Sequence, residues 1–275
     1  MNTTPKDIIK DVLRMQKHLL SLPEGKELFR DDVPPVVWFG DINSAKPKIL
    51  VISANPNNID KPEGNPRIPS SYNWDINKAD VKKMEDDYND YFRNNPDTGW
   101  FGKHPGSVKN KQGRIETFMN GLDASFYDGE YKYQGIHIDL LPFVTKLPFS
   151  KIADRIMAIP GLPEWIDQHL KEMIALIQPK LIVVNGRTNF EYFNQCVGLG
   201  LQPYHVTIHT FPMFKDSKNI TVWETETIRN AGILIDILIK VLPVIATSVN
   251  MGSSCKYAWQ VLYELGKRIK AQFKL

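Results

Sequence analysis

The sequence predicts an α/β fold, a three-layer αβα sandwich around a central, mostly parallel four-stranded sheet. Short apolar runs with the character of buried strands alternate along the chain with longer segments whose apolar residues recur at helical spacing. This alternation is typical of a parallel sheet covered by helices on both faces. The 275 residues show no internal repeat and are enough for one large domain or two small ones.

Four segments are predicted to form the sheet. The first begins at Lys48 and stays apolar up to Ala54, where an Asn-Pro turn follows. The other three segments are 136–143, 181–185 and 204–212. A further segment, 219–227, alternates between apolar and polar residues, which predicts an exposed or edge strand.

The helices are predicted from apolar residues at helical spacing. They are an N-terminal helix at 5–20, shorter helices at 113–122 and 233–242, a helix at 162–177, one after Gly186, and a C-terminal helix at 255–274. We expect a flexible joint at 246–254, before the last helix.

An insertion at 57–113 separates the first strand from the rest of the fold. It is rich in Asn, Asp, Lys, Pro and Gly, carries scattered aromatic residues, and contains one possible helix at 76–94. A loop of this length inside a compact domain is unusual and is often functional. The alternative is a solvated surface insertion with a small core of its own.

Composition excludes several classes of protein. Cys196 and Cys255 lie far apart without a CxxC pattern, so neither a zinc site nor a disulfide framework is indicated. The N-terminal residues lack the apolar segment of a signal peptide. The most apolar stretch, 231–246, is interrupted by Asp236, Lys240 and Pro243, so it does not predict a membrane span. We therefore expect a cytoplasmic protein that does not enter a membrane.

Three polar residues stand near the ends of predicted strands. They are Asn55, Asp139 and His209. Each has an ordinary explanation, since Asn55 can shape a turn, Asp139 can cap a neighbouring group, and His209 can be a core histidine. Together they predict a ligand site, because open α/β sheets bind ligands at the carboxyl ends of their strands.

The order of motifs resembles that of the uracil-DNA glycosylase superfamily. "VISANPN" (51–57) resembles the family's first motif, a strand that ends in a water-positioning Asp or Asn followed by Pro, here Asn55 and Pro56. Residues 165–193 are similar to the helix-strand-helix before its second motif, and "HTFP" (209–212) keeps that motif's His and Pro. The Asn-Pro form is closest to the mismatch-specific and single-strand-selective branches. The resemblance covers about 47–242 and implies one glycosylase-like domain, although 57–113 has no counterpart.

The resemblance implies a hydrolase, a monofunctional DNA glycosylase that leaves an abasic site. Asn55 would position the attacking water, and His209 would hydrogen-bond the departing base. The base must be flipped out of duplex or single-stranded DNA into a pocket bordered by Pro56. We expect a monomer with no metal or organic cofactor; the cysteine set of the iron–sulfur branches is missing.

Further contacts with the base and the DNA are implied by position. Phe118 resembles the family's stacking aromatic residue, with Tyr72 and Trp74 as alternatives, although Phe118 also suits a core position on an amphipathic helix. Met213 stands where the family inserts a wedge into the base stack, or else it packs under the neighbouring strand. Candidate phosphate contacts are Lys103, Lys109, Lys111, Arg114, Lys215 and Lys218.

Asp139 departs from the family pattern, which usually has an Asn here to read uracil. An ionised carboxylate accepts hydrogen bonds and suits the amino group of cytosine, whereas it faces an acceptor, O4, in uracil. A large insertion beside such a residue suggests a 5-substituted cytosine, hydroxymethylated or glucosylated as in phage DNA, and hence a defence function. Tyr72, Trp74, Trp100 and Phe101 would sense the substituent. The alternatives are a uracil or mismatch repair glycosylase and an inactive DNA-binding protein of the same fold.

Overall fold

A computed structural model describes residues 3–56, 69–94, 97–98, 101–103, 115–196, 205–211, 218–225, 244–247, 251 and 259–275. All structural statements below concern these residues. The predicted helix at 233–242 lies outside them.

The described residues form eight α-helices. They are α1 (Pro5–Ser21), α2 (Pro23–Leu28), α3 (Val81–Asn89), α4 (Ile115–Gly121), α5 (Phe149–Met157), α6 (Leu162–Ile177), α7 (Arg187–Cys196) and α8 (Trp259–Phe273). The first begins at a capping box, in which Thr4 and Asp7 each accept a hydrogen bond from the backbone of the other. Gly186, with φ of 99°, precedes α7 in a left-handed conformation that favours glycine.

Nine strands accompany these helices. They are β1 (Lys48–Ser53), β2 (Asp97–Thr98), β3 (Gly102–Lys103), β4 (Ala124–Ser125), β5 (Tyr133–Asp139), β6 (Leu181–Val184), β7 (His205–Phe211), β8 (Lys218–Thr225) and β9 (Val244–Thr247). Seven of them form one sheet in the order β4-β5-β1-β6-β9-β8-β7, while β2 and β3 pair separately. The central strands β5, β1, β6 and β9 are parallel, and β8 is antiparallel to both β9 and β7. The predicted α/β class with a parallel central sheet is confirmed.

Helices flank this sheet in two layers. The connection from β1 to β5 and the one from β5 to β6 run in opposite directions across the sheet. Because such crossovers are right-handed, α4 and α6 belong to opposite faces. The helix α1 packs on α6, and α8 packs on α4. This arrangement agrees with a three-layer sandwich.

The order of the outer strands differs from the prediction. We expected 204–212 to lie in the central sheet and 219–227 to lie at its edge. Instead β9 pairs with β6, β8 is internal and β7 is the edge strand. The predicted joint at 246–254 therefore begins inside a core strand. Sequence reading assigned 244–246 to the end of an apolar stretch, because periodicity cannot distinguish a short buried strand from a helix segment.

The described part of the insertion is packed against the main core. Tyr88, Tyr91, Phe92 and Phe101 are each at most 5% exposed. The hydroxyl of Tyr88 donates a hydrogen bond of 2.6 Å to the carbonyl of Pro35, far away in the sequence. The predicted helix at 76–94 is shorter than expected and begins after its N-cap residue Asp80. This part of the insertion is thus structural, and it shares the main core instead of forming the small core of its own that a solvated surface insertion would have.

The contact between α4 and α8 depends on two glycines. A Cβ atom at Gly121 would lie 2.1 Å from the carbonyl oxygen of Tyr263, and one at Gly266 would lie 2.3 Å from that of Phe118. Both distances are far below van der Waals contact, and both neighbours are backbone atoms. Only glycine therefore permits this close helix crossing.

Candidate functional site

Three polar residues lie side by side at the carboxyl edge of the parallel sheet. Ser53 ends β1 and is aligned with Asp139, the last residue of β5. Asn185 directly follows β6, and its backbone N–H donates to the carbonyl of Ile52. Residues at one level of neighbouring parallel strands project to the same face, so these three side chains form a row. All three are at most 5% exposed.

Asn185 connects this row to the chain beyond β9. Its side-chain nitrogen donates to Ser53 Oγ at 3.4 Å, and its side-chain oxygen accepts from the backbone N–H of Met251 at 2.8 Å. One buried amide thus joins β1, β6 and residue 251, which makes Asn185 a positioning residue for this edge of the sheet.

Asn55 follows β1 and is half-buried, and its side chain is held in one orientation. Its nitrogen Nδ2 donates to Thr145 Oγ1 at 2.9 Å and to the carbonyl of Pro56 at 3.1 Å. The single hydroxyl proton of Thr145 is donated to the carbonyl of Leu147 at 2.6 Å, so Thr145 must accept from Asn55. Both neighbours of Nδ2 are acceptors, which fixes the amide with Oδ1 on the opposite side. That oxygen is the atom suited to hold a water molecule.

Asp139 lies beside a buried histidine of the same strand. His137 precedes it by two residues on the same face of β5, and His137 Nε2 lies 3.8 Å from Asp139 Oδ1. Burial raises the pKa of Asp139 to about 8 and lowers that of His137 to about 3. Because burial disfavours both charges, the two groups are neutral at pH 7 and do not form a salt bridge.

This neutrality corrects the premise of an ionised Asp139. A protonated carboxyl group presents one O–H donor and one carbonyl acceptor, much like an amide. The expected preference for cytosine over uracil depended on a group that only accepts. At neutral pH that premise is wrong, because the cost of burying the charge outweighs any attraction the described surroundings supply.

Aromatic rings surround His137. The ring of Phe39 stacks at 6.0 Å between centroids and 23° between planes, and Phe101 meets it edge-on at 5.0 Å. Phe101 is only 3% exposed. It therefore supports His137 from within the core, and the expectation that it senses a base substituent is not met in this arrangement.

The predicted stacking residues occupy different environments. Phe118 is fully buried on α4, so neither ring face is open to a base, and the core explanation is the correct one. Tyr72 is 46% exposed. Trp74 packs partly against the core, and its Nε1 has no hydrogen-bond partner in the described part of the chain. Tyr72 and Trp74 thus stay candidates for stacking, whereas Trp100 lies outside the described residues.

His209 lies at the same edge of the sheet as Asn55 but on a distant strand. Register through β9 and β8 places Val206 level with Ile52, and hence His209 level with Asn55. Four inter-strand spacings separate β1 from β7, which at about 4.8 Å each amounts to roughly 19 Å. The structure therefore places Asn55 and Asp139 at the ends of adjacent strands and does not bring His209 to them. A single pyrimidine ring cannot span that distance.

The predicted DNA contacts are mostly beyond what the structure describes. Met213, Lys109, Lys111, Arg114 and Lys215 lie outside the described residues. Lys103 ends β3 and Lys218 begins β8, and only their backbone is described. Lys218 pairs with Phe211 at the carboxyl end of β7, so it lies at the same edge of the sheet as His209.

Sequence reasoning missed four residues of this site. His137 could have been predicted from the sequence, because alternate residues of a strand share a face and "HID" therefore places His137 beside Asp139. Ser53 and Asn185 could also have been predicted, since both stand near the ends of predicted strands. No sequence pattern marks Thr145, because it lies in a loop and contacts Asn55 only in the folded chain.

The described residues contain no group of three or more histidine, cysteine or carboxylate side chains placed to hold a metal ion. Within the same residues, no helix is both long and apolar enough to span a bilayer.

No protein family model matches the chain, and no curated protein matches it. The resemblance to the uracil-DNA glycosylase superfamily thus rests on the sequence motifs alone.

Proposed function

We propose that the protein is a DNA glycosylase that hydrolyses the N-glycosidic bond of a flipped pyrimidine and leaves an abasic site. The observation that carries the proposal is the fixed amide of Asn55 at the carboxyl edge of the sheet, next to the strand that ends in Asp139. Ligand sites of α/β proteins lie at this edge. The first motif supplies the link to glycosylases.

Asn55 acts by holding the attacking water. Its Nδ2 is occupied by Thr145 and Pro56, so Oδ1 accepts a hydrogen bond from a water molecule and aims it at C1′ of the sugar. The bond from C1′ to the base breaks and the base keeps its electron pair, while the water oxygen bonds to C1′ and loses one proton to solvent. The departing base takes up one proton from solvent. An amide orients the water without removing its proton, so turnover is slow compared with that of a carboxylate base.

Asp139 is proposed to read the edge of the base. Its neutral carboxyl group donates to N3 of cytosine and accepts from the N4 amino group, which forms two hydrogen bonds with one residue. Our first proposal for the substrate is a 5-substituted cytosine, hydroxymethylated or glucosylated. Among the described aromatic residues of the insertion, Tyr72 and Trp74 are those that are not buried and could meet the substituent. A function in defence against phage DNA follows from this substrate.

Uracil is the second candidate, and the raised pKa of Asp139 favours it. A protonated carboxyl group can donate to O4 and accept from N3–H, as the family's usual Asn does. Above about pH 8 the ionised carboxylate has no proton to donate, so two hydrogen-bond acceptors, the carboxylate and O4, face each other. Ionisation removes the donor toward N3 of cytosine in the same way, so the two candidates are separated by which base is released and not by pH.

The proposal is tested with duplexes that each contain one target base. The panel comprises uracil, a T:G mismatch, 5-hydroxymethylcytosine, glucosylated 5-hydroxymethylcytosine and unmodified cytosine, and alkali converts each abasic site into a strand break. We expect breaks with a modified cytosine or uracil, a loss of roughly 10²–10³ in rate for Asn55→Ala, and no change for the exposed Asn43→Ala. Failure to cleave any duplex would refute the proposal, as would equal rates for the two asparagine variants.

A further inference from the structure

A groove lies between α4, the loop before β5 and the C-terminal helix α8. Its volume is about 580 Å³, within the range of roughly 300–1,000 Å³ that is usual for small-molecule sites. Gly121, one of the two glycines where the backbones of α4 and α8 meet, is among the residues that line it.

One wall is a basic stripe on α8. Lys267 and Lys270 follow Tyr263 at intervals of four and three residues and share a face of α8, and Lys274 directly follows the helix; all four residues line the groove. Lys267 lies 3.5 Å from Glu264, and Lys270 lies 2.9 Å from Asp123. Each ammonium group has three donors, so one carboxylate does not exhaust it. Three ammonium groups thus meet two carboxylates, Asp123 and Glu264, and the one positive charge left over favours an anionic ligand.

The opposite wall adds a second aromatic ring. Tyr131 lines the groove together with Tyr263, which is 40% exposed. The pKa of Tyr131 is raised by its partial burial and by the charges of Glu116 and Tyr263. Exposed tyrosine rings next to lysines are the combination that binds bases and phosphates together.

An amide in the same wall is also fixed. Asn120 Nδ2 donates to Glu116 Oε1 at 2.6 Å and to the carbonyl of Ala124 at 3.1 Å. Both partners are acceptors, so Asn120 Oδ1 is left as the oxygen that can accept a hydrogen bond from a ligand. An acceptor beside two rings suits the amino or imino group of a nucleobase.

We propose that this groove binds a nucleoside phosphate, with the base between Tyr131 and Tyr263 and the phosphates on the lysine stripe. The groove is separate from the candidate active site. Asp123 and Tyr131 precede β4 and β5, at the amino edge of the sheet, whereas Asp139 ends β5. Seven residues of β5 span roughly 20 Å, so the inference does not depend on the glycosylase proposal.

The test is a calorimetric titration of the full chain with four probes: ATP, inorganic tripolyphosphate, adenosine, and a ten-residue oligothymidylate. We expect ATP or the oligonucleotide to bind at least tenfold more tightly than either tripolyphosphate or adenosine, because charge and stacking act together. Tighter binding of the oligonucleotide than of ATP would identify a nucleic-acid strand as the source of the nucleoside phosphate. Tripolyphosphate binding as tightly as both, or no binding of any probe at millimolar concentration, would overturn the proposal.

Variants locate the site. The double variant Lys267→Ala/Lys274→Ala should weaken binding about tenfold, and Tyr263→Ala about fivefold, while Tyr263→Phe keeps the ring and stays within about twofold. The matched control is Lys78→Ala/Lys82→Ala, two exposed lysines near α3. Melting curves confirm that each variant is folded. Equal affinity in the two double variants would place the ligand elsewhere.

Discussion

Removal of the Thr145 hydroxyl group tests how Asn55 is held. In Thr145→Val the side chain keeps its shape but loses two hydrogen bonds, one donated to Leu147 and one accepted from Asn55. Thr145 is only 4% exposed, so water does not readily replace it. At about 1 kcal/mol for each hydrogen bond, the free energy of unfolding should fall by about 2 kcal/mol. This corresponds to a drop of about 4–8 °C in melting temperature for a domain of this size.

The same change should affect catalysis through orientation. With Thr145 gone as an acceptor, the Asn55 amide is held only by the carbonyl of Pro56, and Oδ1 no longer has one fixed direction. We expect excision to slow by about tenfold, less than the roughly 10²–10³ that follows loss of the whole group.

Two assays measure these effects, thermal unfolding by circular dichroism and single-turnover excision. Thr145→Ser keeps the hydroxyl group and should restore the rate to within about threefold, and Thr117→Val removes a buried hydroxyl group on α4 without affecting excision. The reasoning is refuted if Thr145→Val keeps both the wild-type melting temperature and the wild-type rate, or if Thr145→Ser is as slow as Thr145→Val.

Three further predictions follow from the buried polar groups and the strand order. The fold raises the pKa of Asp139 from 3.8 to about 8, so the contribution of this group to stability is complete below about pH 4 and is lost as the pH rises to 8. In urea unfolding, the stability of Asp139→Asn should therefore improve relative to wild type between pH 5 and pH 8. A difference in stability that stays constant with pH would contradict this. Glu116 accepts hydrogen bonds from Asn120, Ser125 and the backbone of Phe126. Glu116→Gln sets an amide N–H against one of these donors, so the free energy of unfolding in the same assay should fall by about 1–3 kcal/mol. Unchanged stability would be evidence against this network. His209→Ala should slow excision much less than Asn55→Ala, because roughly 19 Å separates the two positions, and equal losses would show that β7 approaches the site when DNA binds.

The candidate site residues that sequence analysis singled out are those marked by their local position in the chain. Asn55 and Asp139 could be predicted because they stand at the ends of apolar runs, and the carboxyl edge of a parallel sheet is a known place for ligands. The amphipathic helices α1 and α6 were predictable for a similar reason, because their apolar spacing is long and regular.

The properties that sequence analysis missed depend on contacts between distant parts of the chain. Thr145 meets Asn55 across ninety residues, and the pKa of Asp139 depends on how completely the fold buries it. The place of β9 beside β6 could not be read from four residues of apolar sequence, which suit a strand or a helix equally. Because β9 and β8 lie between β6 and β7, β7 is the edge strand and His209 lies far from Asn55.

The central claim is that Asn55 directs hydrolysis of a base from DNA, and release of the free base tests it most directly. Mass spectrometry measures the base set free from duplexes that carry one 5-hydroxymethylcytosine, its glucosylated form, or uracil, at pH 6.5 and pH 9. We predict that wild type releases a modified cytosine or uracil and that this release falls at pH 9, because ionised Asp139 no longer donates to N3 of cytosine or O4 of uracil. Asn55→Ala should release almost none of these bases. The claim is contradicted if wild type sets no base free, or if Asn55→Ala releases base at the wild-type rate.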